Sequence, residues 1–134
     1  MPVRGIRGAT VAEADHPEAV YSATLELLQA VLTANPTLHP DDLASAFFTV
    51  TDDISSAYPA VAARKLGWTQ LPMLCAREIL VPGGLQRCIR VLLHWNTDLH
   101  PSLICHVYLG AAAALRPDLS GKTLPESASS IHIS

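Results

Sequence analysis

Residues 87–95 read RCIRVLLHW, and their alternation predicts a β-strand around which the rest of the chain is arranged. Side chains of a strand point alternately to its two faces. One face carries the apolar residues Ile89, Val91, Leu93 and Trp95. The other face carries Cys88, Arg90, Leu92 and His94. Both faces are apolar enough to be covered, so the Arg90 guanidinium must either pair with an anion or reach a wet cleft.

The sequence before and after this strand predicts an α+β fold. Further strands are expected at residues 2–10, 44–51, 71–80 and 106–109. A long helix follows the first strand, with Asp15 as its N-cap and Asn35-Pro36 at its end. A short helix begins at Tyr58-Pro59 and ends at Gly67. We therefore expect a mixed sheet of about five strands packed against one long helix and one short helix.

Length and composition exclude several classes of protein. The chain has 134 residues, of which 49% are hydrophobic and 16% charged, and this fits a single domain. A net charge of -3 and scattered basic residues disfavour a nucleic-acid partner. No apolar run approaches a membrane span and no secretory signal is evident, so we expect a cytoplasmic protein without a membrane partner. Three cysteines without a CxxC pair predict neither a disulfide framework nor a metal site.

Several charged residues lie among apolar neighbours and therefore need partners. Glu78 lies in the segment LCAREIL, where its charge also needs a partner. An ion pair with Glu78 would therefore account for a charged Arg90 on a covered face, and a site for an anionic ligand is the alternative. Arg7 raises the same question in the first strand, where neighbouring glycines leave room for a ligand. Cys75 has the opposite strand parity to Glu78. The two can face one pocket only if a bulge or a strand end intervenes.

Together these side chains indicate a site for a small polyanionic molecule that carries a hydroxyl group. The set comprises the arginines Arg7, Arg64 and Arg90, with Glu78 and Tyr108. The phenol of Tyr108 can donate a hydrogen bond to an oxyanion. No GxSxG, P-loop or GxGxxG motif occurs, so neither a nucleophile with its base nor a nucleotide site stands out.

Five blocks of the sequence resemble the monofunctional trimeric chorismate mutases. They are RGIRGAT (4–10), AxPAxAxRxLGW (57–68), CAREI (75–79), GGLxRCIRVLLHWNTD (83–98) and HVYLxxAxxLRPDL (106–119). The resemblance implies a homotrimer with a barrel-like sheet core and with active sites between adjacent subunits. It also implies an isomerase of phenylalanine and tyrosine biosynthesis that rearranges chorismate to prephenate without a cofactor.

The resemblance assigns roles in catalysis to three residues. Arg7 binds a carboxylate of chorismate, and Arg90 contacts a carboxylate and the ether oxygen of the breaking C–O bond. Glu78 accepts a hydrogen bond from the ring hydroxyl. These roles suit a Claisen rearrangement, because a unimolecular reaction needs a restricted conformation and stabilised charge rather than a nucleophile or base.

The resemblance assigns the remaining residues to substrate binding. Tyr108 supports a carboxylate, Cys75 lines the ring pocket, and Arg64 lies near its mouth. Leu115 and Arg116 belong to a C-terminal segment that closes over the site as a partial lid. Two further positions depart from the family pattern: Tyr58 stands where the family often has Phe, and Leu74 replaces a commonly polar neighbour of Cys75.

Residues 1–119 are expected to form the enzyme domain, and residues 120–134 a tail that is flexible or docks on a neighbouring subunit. Two other functions remain open at this point. Small trimeric imine deaminases also bind a carboxylate with an interfacial arginine, but they do not require Glu78 opposite Arg90 and a second arginine at Arg7. A non-catalytic binder of a small carboxylate metabolite is the other alternative, and turnover of chorismate would exclude it.

Overall fold

A mixed five-stranded sheet forms the centre of the structure, a computed structural model that describes residues 1–115. The strands are β1 (Val3–Val11), β2 (Leu43–Val50), β3 (Met73–Arg77), β4 (Cys88–Asn96) and β5 (Val107–Tyr108). Their order is β3-β2-β4-β1-β5, with β4 antiparallel to both of its neighbours and with the two edge strands parallel to theirs. The helices are α1 (Pro17–Ala34) and α2 (Ala60–Lys65). The predicted α+β fold is confirmed.

The hydrophobic core lies between the two helices and one face of the sheet. Leu27, Leu28 and Val31 of α1 are fully buried at helical spacing. They pack with Phe48 of β2 and with buried apolar residues of β4, of which Trp95 is the largest. Full burial of each large apolar side chain contributes about 1.5–3 kcal/mol. The apolar face of residues 87–95 is therefore the core face, as the sequence predicts.

The opposite face of the sheet, called the open face below, carries large apolar side chains that remain exposed. The exposed fractions are 54% for Val3, 42% for Phe47, 62% for Leu74 and 37% for Leu92. Both faces of β4 were expected to be covered. Within one chain, only the core face is covered. An apolar surface of this kind commonly marks an interaction site.

Gly8 lies on the core face of β1, at a position where a side chain would be crowded. A Cβ atom there would lie 3.2 Å from side-chain atoms of both Leu27 and Val91 and 3.3 Å from the carbonyl oxygen of Val107. These distances are shorter than comfortable van der Waals contact. The absence of a side chain thus lets α1, β4 and β5 approach β1 closely.

Two differences from the sequence prediction concern the N-cap of α1 and the end of β3, while the other helix and strand ends shift by one or two residues. The N-cap of α1 is His16, whose Nδ1 accepts a hydrogen bond from the Ala19 amide at 3.3 Å; Asp15 is not the cap. The carboxylate of Asp15 instead accepts hydrogen bonds from residues 55 and 56, which local spacing cannot reveal. The strand expected at 71–80 ends at Arg77, because its partner strand β2 ends at Val50. Among residues 1–115, no helix is both long and apolar enough to cross a membrane.

Candidate active site

Arg90 and Glu78 form an ion pair at the end of the sheet. The strand β4 places Arg90 opposite Thr49 of β2, on the open face. Glu78 follows β3, and its amide donates a hydrogen bond to the carbonyl of Val50 at 2.9 Å. The Glu78 Oε2 atom lies 3.3 Å from Arg90 Nε and also accepts a hydrogen bond from the Thr49 hydroxyl. The predicted pairing of Arg90 with Glu78 is therefore present.

This pair is shielded but still accessible. The side chains of Arg90 and Glu78 are 28% and 19% exposed. Both line a cavity of about 540 Å³, called the Arg90 cavity below, whose other walls include Cys88, Leu115 and residues 79–86. Burial raises the pKa of the Cys88 thiol, although the Arg90 charge opposes the shift. The thiol is accordingly protonated at neutral pH.

Arg7 and Tyr108 extend the polar surface beside this cavity. Arg7 lies opposite Leu92 on β1, and Tyr108 is in register with Ala9, which in turn lies opposite Arg90. Residues paired in register project to the same face of a sheet. Both side chains are half-buried. Four predicted site residues thus share one end of the open face.

Tyr58 and Cys75 line a second cavity of about 390 Å³, called the Tyr58 cavity below. Tyr58 is 70% exposed, whereas Cys75 is half-buried and packs against the core. Cys75 pairs with Phe48, a core-face residue, while Glu78 contacts Thr49 on the open face. The opposite parity noted in the sequence is therefore retained, and within one chain the two residues line different cavities.

The sequence model for chorismate mutase type I matches residues 3–119. The chain belongs to the type I chorismate mutase family. It is 54% identical over 117 residues to the chorismate mutase AroH of Thermus thermophilus, which covers 87% of this chain and 96% of the relative. It is 42% identical over 121 residues to AroH of Bacillus subtilis (strain 168), covering 90% of this chain and 94% of the relative.

A solved structure agrees with these similarities. The chorismate mutase from Clostridium thermocellum superposes with a TM-score of 0.81 at 44% identity, covering 84% of this chain and 99% of that chain. The prediction of a monofunctional chorismate mutase, and hence of an isomerase, is confirmed. The imine deaminase alternative is disfavoured accordingly.

The structure separates the remaining predicted site residues of this chorismate mutase. Leu74 is exposed on the open face beside Phe47, and Arg64 is exposed on α2; neither lines the two cavities. Leu115 borders the Arg90 cavity. Arg116 lies outside the described residues, as does the tail predicted at 120–134.

Three residues of the site were not singled out from the sequence. Thr49 donates to the Glu78 carboxylate, Cys88 lines the Arg90 cavity, and Arg77 lines the Tyr58 cavity. Strand parity could have identified Thr49, because it shares the open face with Phe47 two residues earlier. No local signal identifies Arg77, whose partners lie more than twenty residues away in the chain.

Proposed function

We propose that the Arg90–Glu78 pair catalyses the Claisen rearrangement of chorismate to prephenate. The observation that supports this is the 3.3 Å ion pair at the wall of an accessible cavity. As the C–O bond of chorismate breaks, negative charge grows on the ether oxygen. A guanidinium beside that oxygen interacts more strongly with the transition state than with the ground state, which is the condition for raising the rate.

Glu78 has two roles in this proposal. Its carboxylate holds the Arg90 guanidinium in place before the substrate arrives, so little reorganisation accompanies the reaction. It also accepts a hydrogen bond from the ring hydroxyl of chorismate. The Thr49 hydroxyl occupies one lone pair of Glu78 Oε2 and restricts the rotation of the carboxylate.

Arg7 and Tyr108 complete the binding of the substrate's carboxylates. Their position on the same end of the open face as Arg90 supports this role. Cationic groups on both carboxylates favour the conformer in which the enolpyruvyl side chain folds over the ring. Leu115, with Arg116 beyond it, belongs to a segment that closes over the Arg90 cavity as a partial lid.

We further propose that the complete active site forms between adjacent subunits of a homotrimer with a barrel-like sheet core. Two observations support this assembly. Tyr58 and Cys75 line one cavity of the chain, whereas Arg90 and Glu78 line the other. The open face also exposes Val3, Phe47, Leu74 and Leu92, which a neighbouring subunit would cover. In the trimer, the Arg90 cavity of one subunit faces Tyr58, Leu74, Cys75 and Arg64 of the next.

Complementation between subunits tests this arrangement. Arg90→Ala inactivates the Arg90 cavity, and Ala57→Trp fills the Tyr58 cavity, so each variant alone should be inactive. In a cyclic trimer that contains both variants, one interface combines two intact halves. Random refolding of an equal mixture should therefore restore about a quarter of the wild-type activity. A mixture as inactive as its components would contradict a site shared between subunits.

Turnover itself is measured as the loss of chorismate absorbance by purified protein without added cofactor. A protein that binds chorismate without converting it would be a non-catalytic binder, and the proposed mechanism would be wrong. The free thiols of Cys75, Cys88 and Cys105 fit the reducing cytoplasm in which we propose that the enzyme acts. We also propose residues 1–119 as the enzyme domain and residues 120–134 as a separate tail.

A further inference from the structure

The loop between β2 and α2, residues 51–59, borders both cavities of the site. Its first residues, Thr51, Asp52 and Asp53, line the Arg90 cavity. The rest of the loop, from Ile54 to Pro59, lines the Tyr58 cavity. This loop carries Tyr58 and leads directly into α2. Its conformation therefore determines where the Tyr58 ring lies.

Arg77 holds this loop from the side of the sheet. Its Nη1 atom donates hydrogen bonds to the carbonyl oxygens of Thr51 at 3.1 Å and Ile54 at 2.7 Å. Bonds from a charged donor are stronger than bonds between neutral groups. Arg77 also lines the Tyr58 cavity. Nothing in the proposed chemistry uses this cation directly.

Asp15 holds the same loop from the side of α1. Its carboxylate accepts hydrogen bonds from the amides of Ser55 and Ser56, both at 3.1 Å, and from the Ser55 hydroxyl at 3.2 Å. Hydrogen bonds from Ser56 and Ser55 lower the pKa of the Asp15 carboxyl below 3.8. The carboxylate is therefore ionised throughout the neutral range and remains an acceptor.

We propose that Arg77 and Asp15 form a clamp on residues 51–56 that positions Tyr58 for substrate binding in the neighbouring subunit's site. Arg77 satisfies two carbonyls of the loop, and Asp15 satisfies the amides that follow them. Both are positioning residues, because they act through Tyr58 rather than on the substrate. The inference rests on the proposed location of Tyr58 at a site shared between subunits.

The clamp should affect substrate binding more than the chemical step. The Glu78 amide is held by the carbonyl of Val50, and the Glu78 carboxylate by Thr49 and Arg90. None of these bonds involves the Arg77 side chain. Loss of the clamp should therefore leave the Arg90–Glu78 pair in place and loosen only Tyr58.

Steady-state kinetics of clamp variants test the proposal. We expect Arg77→Ala to raise KM for chorismate about tenfold, since it removes two bonds to a charged donor, and to leave kcat within about twofold of wild type. Arg77→Lys, which keeps the positive charge but lacks the planar guanidinium, should give an intermediate KM. Asp15→Asn should raise KM in the same direction by a smaller factor.

A double-mutant cycle separates positioning from general loosening of the fold. If Arg77 acts through Tyr58, adding Arg77→Ala to Tyr58→Ala should change KM by less than about twofold. Multiplicative effects of the two substitutions on KM, or a loss confined to kcat, would overturn the clamp while leaving the proposed function intact. Absence of turnover by the wild-type enzyme would overturn both.

Arg4→Ala provides the matched control. The Arg4 Nε atom donates to the carbonyl of Leu99 at 3.2 Å, so the substitution also removes an arginine–carbonyl hydrogen bond, but one far along the chain from residues 51–59. KM should stay within about twofold of wild type. A tenfold rise in KM for Arg4→Ala would show that any such bond matters equally, and the specific role of Arg77 would be lost.

Discussion

Arg90 places a guanidinium within a β-strand near the end of the sheet, and this position is costly unless the charge has a partner. Glu78 supplies one at 3.3 Å, while 28% of the Arg90 side chain remains exposed. The arrangement keeps the charge desolvated enough to act strongly on a ligand and open enough to be reached by one. Arg7 lies on the neighbouring strand β1 and projects to the same face as Arg90. It pairs with Leu92, which is two residues after Arg90 in β4.

Replacement of Arg90 by citrulline, which has the same shape without the charge, should reduce kcat by about 10² to 10³-fold. Binding of chorismate should weaken much less, because in the proposed mechanism the charge interacts mainly with the transition state. Arg7→Ala should instead act largely on KM, since the proposal has Arg7 contact a carboxylate throughout the reaction. Steady-state kinetics with an equilibrium binding measurement separate the two effects. If the citrulline variant instead lost chorismate affinity and kcat/KM equally, with kcat unchanged, Arg90 would contribute only to substrate binding.

The start of β4 depends on a small polar network at the scale of secondary structure. Arg87, just before the strand, has a φ of 49°, which side-chain-bearing residues rarely adopt. Its amide donates to both carboxylate oxygens of Asp53 at 2.9 Å. The Thr51 hydroxyl donates to Asp53 and accepts from the Cys88 amide at 2.9 Å. The network therefore connects the loop after β2 to the strand that carries Arg90.

Asp53→Asn should lower the Tm by about 2–6 °C at pH 7, because hydrogen bonds to the charged carboxylate are weakened. Partial desolvation raises the pKa of Asp53, but hydrogen bonds from Thr51 and Arg87 outweigh it and lower the pKa below 3.8. A lowered folded-state pKa gives stability that is present above pH 3.8 and lost as the pH falls through the folded value.

Melting curves of wild type and Asp53→Asn should accordingly converge as the pH falls below about 4. Asp98→Asn, which removes an exposed carboxylate elsewhere, should follow the wild type at every pH. A Tm difference for Asp53→Asn that is independent of pH would contradict the stabilising role of the ionised carboxylate.

The whole molecule has one covered sheet face and one face with exposed apolar residues. A monomer with Phe47, Leu74 and Leu92 in contact with water would lose the benefit of burying them. A cyclic trimer offers each subunit two neighbours and no free interface. In the proposed trimer, the exposed apolar side chains that a neighbouring subunit would cover adjoin the residues proposed to bind substrate.

Leu74→Glu should dissociate the trimer, because it places a charge within the proposed interface. The measurement is molar mass by light scattering at micromolar concentration, where the wild type should be trimeric and the variant monomeric. Leu103→Glu is the matched control, since Leu103 is 63% exposed and Leu74 62%, but Leu103 lies outside the sheet. A wild-type monomer with full activity, or equal dissociation of both variants, would contradict the assembly.

Local patterns predicted the elements whose residues interact with sequence neighbours. The long helix α1 and the alternating strand β4 follow from local sequence patterns, and both were predicted correctly. Arg90 and Glu78 were identified because an apolar environment makes any charge conspicuous. The Asp15 cap was wrong because the carboxylate bonds to residues 40 positions away, and no local spacing encodes such a partner.

The sequence by itself determined the family, the α+β class and the two charged residues of the candidate site, Arg90 and Glu78. Only the tertiary structure decided which face of each strand is covered and which residues share a cavity. Cys75 and Glu78 illustrate the difference: their parity is readable from the sequence, but their separate cavities depend on pairing with β2. Strand register and burial are set by contacts between distant segments, and these contacts have no signature in any single segment.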